Sequence, residues 1–474
     1  MSEAQHMQTD MRTILDRQKQ AFLTELPVSR EVRLDRLTRA IDLLVDHKDA
    51  LIDAIRQDYG QRTEEVTLVA DLVPSVQALK HARKNVKKWM KAERRSPTFP
   101  LGVLGTKATV EYRPKGVVGI IGPWNFPLNL IFAPLAGALA AGNRVMIKPS
   151  EHVPVTSALI QRLIALYFQP EEVAVFTGGI DVSERFVKLP LDHIFYTGSG
   201  AVGRLVMKAA AENLTPVTLE LGGKSPTIIL PDQDIPQAAQ VIASAKMANA
   251  GQICVAPDYV FVPRIKVADL TLALMAAADK FYPEGGEVAY TEIINAQQKQ
   301  RLERYIADAK AKGATVATPE SYGGPRQDNI LPLHIVTGAD DSMMVMQEEI
   351  FGPILPLLPY DHIDEVIDYI TARPRPLATY MMGRGVEGKT VQDKVLSGGM
   401  AYDEFLLHVG QEDLPFGGTG GSGMGNYHGI DGFRTFSHTM AVFKRGPFDI
   451  LGLLQGRPPF GGRFKAYIKQ ELRK

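Results

Sequence analysis

The chain of 474 residues contains a single cysteine, Cys254. One thiol excludes an intrachain disulfide, and it excludes every metal site built from a cluster of cysteines. We therefore predict no metal site and a reducing, cytoplasmic setting. No window reaches the roughly 18 uninterrupted apolar residues of a transmembrane helix, and the polar N-terminus lacks a signal-peptide pattern.

The chain also has no excess of positive or negative charge. Lys plus Arg equals Asp plus Glu, with 53 of each, so no overall field favours nucleic acid or an anionic membrane as a partner. The basic stretch 84–95 is typical of a solvated helix face. The usual dinucleotide fingerprint, GxGxxG after the first strand of an alternating fold, is absent as well.

The chain has the composition of a globular protein, 45% hydrophobic and 22% charged, and a length typical of two to three domains. The apolar spacing predicts two helices between residues 30 and 92, followed by an edge strand at 106–113. Apolar strands then alternate with helices, first up to residue 223 and again from about 225 to 400. This alternation predicts an α/β fold with a doubly wound parallel sheet.

Three residues carry the chemistry: Cys254 in NAGQICVAPD, Glu220 in LELGGK and Asn125 in GPWNFP. A lone cysteine is most often a small buried hydrophobe. Turn-forming neighbours such as Gly251 place this one in a loop instead. A thiol, a base and an amide donor together suit covalent chemistry on a carbonyl group. The segment FYTGSGAVG, 195–203, runs from a strand into a helix and fits either a pyrophosphate site or an ordinary turn.

Seven ordered motifs together resemble the aldehyde dehydrogenase superfamily over about residues 30 to 440. APDYV after the cysteine, LLHVGQEDLPFGG and YHGIDGFRTFSH are most similar to its coniferyl aldehyde, class 3 and fatty aldehyde branch. The motifs are GPWNFP, KPSE, FYTGSGAVG, LELGGKSP, NAGQICVAP, EEIFGP and PFGGTGGSGMGNYHG.

The resemblance implies a fold of three parts: a Rossmann-type NAD-binding domain, an α/β catalytic domain and a small β bridging element for oligomerisation. It implies a homodimer and no membrane contact, although the aromatic and basic tail keeps a membrane surface as an alternative. The implied bounds are 1–105 and 114–223 with part of 405–428 for the NAD-binding domain, 224–404 for the catalytic domain, 106–113 and 429–445 for the bridging strands, and 446–474 for the tail.

For the reaction, the resemblance makes Cys254 the nucleophile. It makes the side chain of Asn125 and the backbone N–H of Cys254 the hydrogen-bond donors to the oxyanion. Glu220 activates the water that releases a carboxylic acid. Family members that pass the acyl group to coenzyme A generally lack a glutamate here. The implied substrate is an aromatic aldehyde such as coniferaldehyde, or a medium- to long-chain aliphatic aldehyde.

For the cofactor, the resemblance places Lys148 and Glu151 on the adenosine ribose. A carboxylate there repels a 2′-phosphate, so we expect NAD, with NADP as an alternative. The remaining cofactor-binding residues implied by the motifs are Trp124, Gly198, Ser199, Gly203, Glu349 and Phe351.

Two positions depart from the family pattern. Gly200 replaces a common threonine, and Tyr402 replaces a common asparagine near the substrate entrance, which leaves substrate preference open. His408 and His428 are interpreted as structural. Three rival functions remain: a cysteine hydrolase, which lacks a histidine signature around Cys254, a coenzyme A-acylating dehydrogenase, and a non-catalytic member of the family.

Overall fold

The computed structural model describes residues 3–99, 101–283, 290–322 and 329–474. Within these ranges the strands form three sheets. The strands are β1 (Glu93–Arg95), β2 (Lys107–Pro114), β3 (Val117–Ile121), β4 (Arg144–Lys148), β5 (Val173–Val175), β6 (His193–Gly198), β7 (Val217–Leu221), β8 (Pro226–Ile229), β9 (Tyr259–Pro263), β10 (Thr315–Ala317), β11 (His334–Thr337), β12 (Ile354–Tyr360), β13 (Ala378–Met382), β14 (Gly399–Tyr402), β15 (Gly423–Met424) and β16 (Ser437–Lys444).

Helices cover the two larger sheets, and a π-helical turn at Leu68–Leu72 joins α4 to α5. The helices are α1 (Glu3–Glu25), α2 (Arg30–Asp46), α3 (Lys48–Tyr59), α4 (Glu64–Thr67), α5 (Val73–Trp89), α6 (Asn129–Ala141), α7 (Pro154–Tyr167), α8 (Ile180–Val187), α9 (Gly200–Ala211), α10 (Ile235–Met247), α11 (Val267–Phe281), α12 (Ala296–Ala311), α13 (Met344–Gln347), α14 (Ile363–Thr371), α15 (Glu387–Lys394), α16 (Gly429–Thr435), α17 (Ile450–Leu453) and α18 (Gly462–Glu471). No helix in the described part of the chain is long and apolar enough to cross a membrane.

The six-stranded sheet has the order β15-β7-β6-β3-β4-β5, and all neighbours except β15 and β7 run parallel. Every residue of β3 and β4 is buried, as expected for parallel strands that are covered on both faces. The chain extends the sheet from β3 to β5 and then returns to the other side of β3 with β6. This reversal leaves a crevice at the carboxyl ends of β3 and β6, where open α/β sheets bind their ligands.

The seven-stranded sheet has the order β10-β11-β12-β9-β8-β13-β14 and is parallel except at β10. All its strands come from residues 226–402. The α/β alternation predicted from the sequence is therefore confirmed in both sheets.

The third sheet is antiparallel, with the order β1-β2-β16, and β2 pairs with β16 along its full length. Two predictions were wrong here. Residues 429–435 form helix α16 instead of a bridging strand, because this segment packs closely on α6, where a Cβ at Gly137 would lie 3.0 Å from the Gly432 backbone. Strand β1, which was predicted as part of the NAD-binding domain, pairs with β2. The division into domains itself stays a prediction.

The prediction of two helices between residues 30 and 92 was also wrong. His47, with φ −114° and ψ 19°, separates α2 from α3, and a third helical stretch runs from α4 through the π-helical turn to α5. The break lets α3 leave the axis of α2 and pack on α7. Apolar spacing continues across this bend, so the sequence pattern alone did not reveal it.

Candidate active site

Reactive side chains gather at the carboxyl edge of the six-stranded sheet around a cavity of about 550 Å³. A neighbouring cavity of about 620 Å³ shares Glu349 with it but does not contain the thiol. Eight of the predicted site residues line the first cavity: Trp124, Asn125, Gly198, Ser199, Glu220, Cys254, Glu349 and Phe351. Segments more than 200 residues apart in the sequence therefore meet here, between β3, β6, β7 and the loop after α10.

The loop that presents Cys254 begins in a strained backbone turn. Asn249 and Ala250 have positive φ values of 47° and 53°, and Gly251 follows with 72°. Two consecutive non-glycine residues in this region cost of order 1–3 kcal/mol each. The turn ends α10 and directs the following residues toward the cavity, where Cys254 is partly exposed.

The thiol is held in its neutral form. Burial, followed by the charges of the carboxylates Glu220 and Glu349, raises the pKa of Cys254 well above its usual range. The thiolate is the nucleophilic form of cysteine. Activation therefore requires a positive charge or a proton acceptor next to the sulfur.

Asn125 lies in the loop after β3 and is only 4% exposed. Its side-chain Nδ2 donates to the backbone oxygen of Gln252 at 3.1 Å, which ties it to the cysteine loop. Its own backbone oxygen accepts a hydrogen bond from Arg62 at 3.0 Å. The amide is thus anchored on the cavity wall beside the nucleophile.

Glu220 is on β7, is 2% exposed, and has no hydrogen-bond partner for either carboxylate oxygen in the described structure. Burial raises the pKa of Glu220 well above its ordinary value. A raised pKa makes a carboxylate a stronger proton acceptor, which suits a general base. Its charge acts on Cys254, and both residues line the same cavity.

Aromatic side chains pack around the cysteine loop and Glu220. The Tyr380 hydroxyl donates to the backbone oxygen of Val255 at 2.6 Å, and the Tyr380 ring lies 4.3 Å from that of Phe405. Tyr427 is buried close enough to Glu220 and Cys254 for their charges to raise its pKa further after burial itself. These buried rings therefore pack behind the cysteine loop without lining the cavity.

The two histidines near the site are packed among these rings. His428 is stacked on Phe416 with ring centroids 5.5 Å apart, and His408 contacts the ring of Tyr380 at 5.7 Å. Burial lowers the pKa of His428 to about 4 and also lowers that of His408. Among the described contacts neither histidine is hydrogen-bonded to Cys254, and their structural role stays a prediction.

Three predicted cofactor residues lie at the same sheet edge without lining the cavity: Lys148, Glu151 and Gly203. Lys148 Nζ donates to the Pro149 oxygen at 2.7 Å and lies 3.4 Å from Glu151 Oε2. Burial lowers the pKa of Lys148. The pair thus offers one ammonium group and one carboxylate next to the crevice, which suits vicinal hydroxyl groups.

The segment after β6 begins helix α9, and the Ser199 hydroxyl accepts from the Val202 N–H at 3.4 Å as its N-cap. Gly203 must be small, because a Cβ there would lie 2.8 Å from the Leu221 side chain. Helix α9 therefore packs tightly on β7 with its N-terminus at the crevice, where partial positive charge favours phosphate.

Glu349 fits the ribose of a dinucleotide. One carboxylate oxygen, Oε1, is buried with no hydrogen-bond partner in the described structure, and burial raises the pKa of Glu349 to about 8. A Cβ at Gly222 would overlap this carboxylate, so glycine is required for the close approach. The ring of Phe351 meets that of Trp124 edge to face at 5.3 Å.

The residues of the cavity wall that were not found from the sequence include Arg204, Gln298, Arg301 and Tyr305. The last three lie on one face of α12, with spacings of three and four residues. Arg301 Nη2 donates to the Ile350 oxygen at 2.9 Å. A polar stripe on a helix was the available signal, but it does not show which surface the stripe meets. In the described residues, no group of three His, Cys, Asp or Glu side chains could hold a metal ion.

Comparison with known proteins agrees with this geometry. The model of the aldehyde dehydrogenase family matches residues 2–442. The chain is 46% identical over 470 residues to a probable coniferyl aldehyde dehydrogenase of Caulobacter vibrioides, covering 98% of this chain and 97% of that protein.

Solved structures agree as well. The substrate-bound AldH of Staphylococcus aureus superposes with a TM-score of 0.90 at 34% identity, covering 98% and 99% of the two chains. An aldehyde dehydrogenase of Mycobacterium tuberculosis complexed with NAD⁺ superposes with a TM-score of 0.82 at 27% identity, covering 92% and 90%.

The fold and the cavity define a nicotinamide-dependent oxidoreductase with a cysteine at its centre. The chain belongs to the aldehyde dehydrogenase family, and it oxidises aldehydes with NAD(P).

Proposed function

We propose that this enzyme converts an aromatic aldehyde of the coniferaldehyde type to its carboxylic acid with NAD, through a thioester on Cys254. The observation that carries the proposal is the meeting of Cys254, Asn125 and Glu220 on one cavity wall. The name of the Caulobacter relative favours an aromatic substrate over a long aliphatic one, which remains the alternative.

In this proposal NAD, when bound, supplies the hydride acceptor and a positive charge near the thiol. Cys254 gives up its proton to solvent water, and its sulfur bonds to the aldehyde carbon as the carbonyl π bond breaks and leaves an oxyanion. The side chain of Asn125 and the backbone N–H of Cys254 stabilise the oxyanion. Removing one such donor costs about 100- to 1,000-fold in rate.

In the second half of the reaction, Glu220 is the general base. After oxidation the acyl group is a thioester of Cys254, and Glu220 takes a proton from the water that attacks it. The carbon–sulfur bond then breaks, and the acid leaves. A buried, unpaired carboxyl group with a raised pKa supports this role over transfer to coenzyme A.

The cofactor side of the proposal assigns Lys148 and Glu151 to the adenosine ribose and Glu349 to the nicotinamide ribose. The segment 198–203 faces the pyrophosphate, while Trp124 and Phe351 line the cleft. The fit rests on the unpaired Oε1 of Glu349 and on the N-terminus of α9 at the crevice. Glu151 supports NAD over NADP, because its charge repels a 2′-phosphate.

We also propose a cytoplasmic homodimer whose tail, 446–474, covers the dimer or the substrate entrance and does not bind a membrane. The outer edge of β16 supports the dimer, since it has no partner strand in the described structure. Such an edge invites pairing across a two-fold axis.

The test of the reaction is NADH formation with coniferaldehyde, benzaldehyde, hexanal and a long-chain aldehyde, each with NAD and with NADP. We expect coniferaldehyde and NAD to give the highest kcat/KM, and Cys254→Ala to abolish turnover. A preference for the long-chain aldehyde would contradict the aromatic assignment. Turnover that requires coenzyme A would contradict the release of a free acid.

A further inference from the structure

A buried ion pair lies directly behind the Asn125 peptide. The side chains of Arg62 and Asp71 are both 0% exposed, and Arg62 Nη2 donates to Asp71 Oδ2 at 2.6 Å. The other terminal nitrogen of Arg62, Nη1, donates to the Asn125 backbone oxygen at 3.0 Å. Burying such a pair brings little net stability, because desolvation offsets the attraction. Its position next to the site therefore calls for a different explanation.

Asp71 holds the other end of the same segment. Its Oδ1 accepts from the backbone N–H groups of Leu128 and Asn129 at 3.0 and 3.1 Å, at the start of α6. A carboxylate at a helix N-terminus satisfies free N–H groups and is stabilised by the helix dipole. Asp71 itself lies in the π-helical turn Leu68–Leu72, and such turns occur frequently at functional sites.

The Asn125 carbonyl group is held from several sides. The Tyr59 hydroxyl donates to it at 3.1 Å and Asn249 Nδ2 at 3.4 Å, in addition to Arg62. The Arg62 guanidinium also lies over the rings of Tyr59 and Phe126, at 4.9 and 5.4 Å from their centroids. Arg62 is thus locked in place, and it transmits that rigidity to the Asn125 peptide.

We propose that Arg62 and Asp71 are positioning residues for the oxyanion site: they fix the Asn125 peptide so that its side-chain amide faces Cys254. The inference rests on the proposed function, in which Asn125 is the oxyanion donor. Neither residue lines the cavity, so neither touches the substrate. Misplacement of a reacting group by about 1 Å costs about 100-fold in rate.

The test is a double-mutant cycle read in single-turnover NADH formation at saturating NAD and aldehyde. Arg62→Lys keeps the charge but cannot bridge Asp71 and the carbonyl group with the same fork. We expect it to lower the single-turnover rate by about 10- to 100-fold with an unchanged Kd for NAD. In an Asn125→Ala background, Arg62→Lys should cause no further loss, because the donor that it positions is gone.

Arg62→Met combined with Asp71→Asn is the second variant, because it removes both charges and leaves an acceptor for the first N–H groups of α6. It should reproduce the loss seen with Arg62→Lys while the protein stays folded.

The matched control is Arg36→Lys. The Arg36 side chain is 2% exposed and is paired with Glu25 at 2.8 Å and Glu172 at 3.1 Å, next to the opposite, amino edge of the sheet. This control should lower Tm and leave the single-turnover rate unchanged.

An unchanged rate in Arg62→Lys, or an equal fractional loss in the presence and absence of the Asn125 side chain, would overturn the inference. Failure of the proposed function has a separate signature, in which Asn125→Ala alone keeps the wild-type rate. The measurement on Asn125→Ala does not involve Arg62. Failure of the proposed function can therefore be distinguished from failure of this inference.

Discussion

At the scale of single residues, the site brings together three acidic groups whose pKa values are all raised. Burial raises the pKa values of Glu220, Glu349 and Cys254, and the two carboxylates add to the effect on the thiol. The free enzyme therefore keeps its nucleophile in an unreactive form, and a bound positive charge favours the thiolate.

The first prediction at this scale concerns Glu220→Gln. The variant should still give a burst of NADH, because acylation of Cys254 does not need this carboxylate, but steady-state turnover should fall by about 100- to 10,000-fold. The measurement is stopped-flow absorbance at 340 nm followed into the steady state. Loss of the burst together with turnover would contradict a role confined to hydrolysis.

The pH dependence of the same reaction provides a second check. Glu220 acts as a base only when it is deprotonated, and its pKa lies well above the ordinary carboxyl value. Steady-state turnover should therefore rise with pH through a midpoint above about 4.3, the usual pKa of glutamate. Glu220→Gln should lose this rising limb in the deacylation step. A limb that persists in the variant would assign it to another group.

At the scale of elements, the turn between α10 and Cys254 sets the direction of the nucleophile. Gly251 has φ +72°, and a Cβ there would lie 2.5 Å from the Gly352 oxygen. The cysteine loop thereby rests on the backbone that follows Phe351, itself at φ 47°. Two segments of the catalytic half of the chain are thus locked together through a contact that only glycine permits.

We predict that Gly251→Ala lowers kcat by at least about 10-fold, because the added methyl group pushes the cysteine loop away from the oxyanion donor. Gly338→Ala is the matched control, since Gly338 has φ +73° and nothing within 4 Å of a new Cβ. Both substitutions strain a left-handed residue, but only the first displaces Cys254. Equal kcat values in the two variants would show that the contact with Gly352 is not required.

At the scale of the whole molecule, the three-stranded sheet ends at β16, whose outer edge has no partner strand among the described residues. Strand β16 pairs with β2 on one side only, and Phe443 near its end is 60% exposed. An exposed strand edge with an aromatic side chain is uncommon on a protein that stays monomeric. In the dimer that we propose, this edge pairs with the same edge of a second copy, related by a two-fold axis.

The corresponding prediction is that the protein sediments as a dimer of 52.0 kDa chains and that Phe443→Glu shifts it toward the monomer. Each chain would bring a new carboxylate to the interface, and the two would repel, so the shift should be larger at low salt. Analytical ultracentrifugation at two salt concentrations measures this. A dimer that is equally stable in the variant would place the interface elsewhere.

Much of this architecture was predictable from local patterns. Apolar β-branched runs such as 117–121 and 144–148 identified the buried parallel strands, because full burial requires an unbroken apolar run. The motifs around Cys254, Glu220 and Asn125 identified the chemistry, because each motif places its reactive side chain in a turn or at a strand end. These signals are contained within a few neighbouring residues, and the structure brings all three residues to one cavity.

The remaining features depended on packing between distant segments. The split of α2 from α3 at His47, the α16 helix in place of a strand, and the α12 side chains in the cleft leave no distinctive local pattern. The same holds for Arg62, which contacts Asn125 across 63 residues of sequence. The sequence by itself determined which elements form and which residues react, because short-range sterics and apolar patterning decide both. Tertiary structure alone decided which helix faces meet the cavity and which buried charges support it, since these depend on how separately formed elements pack together.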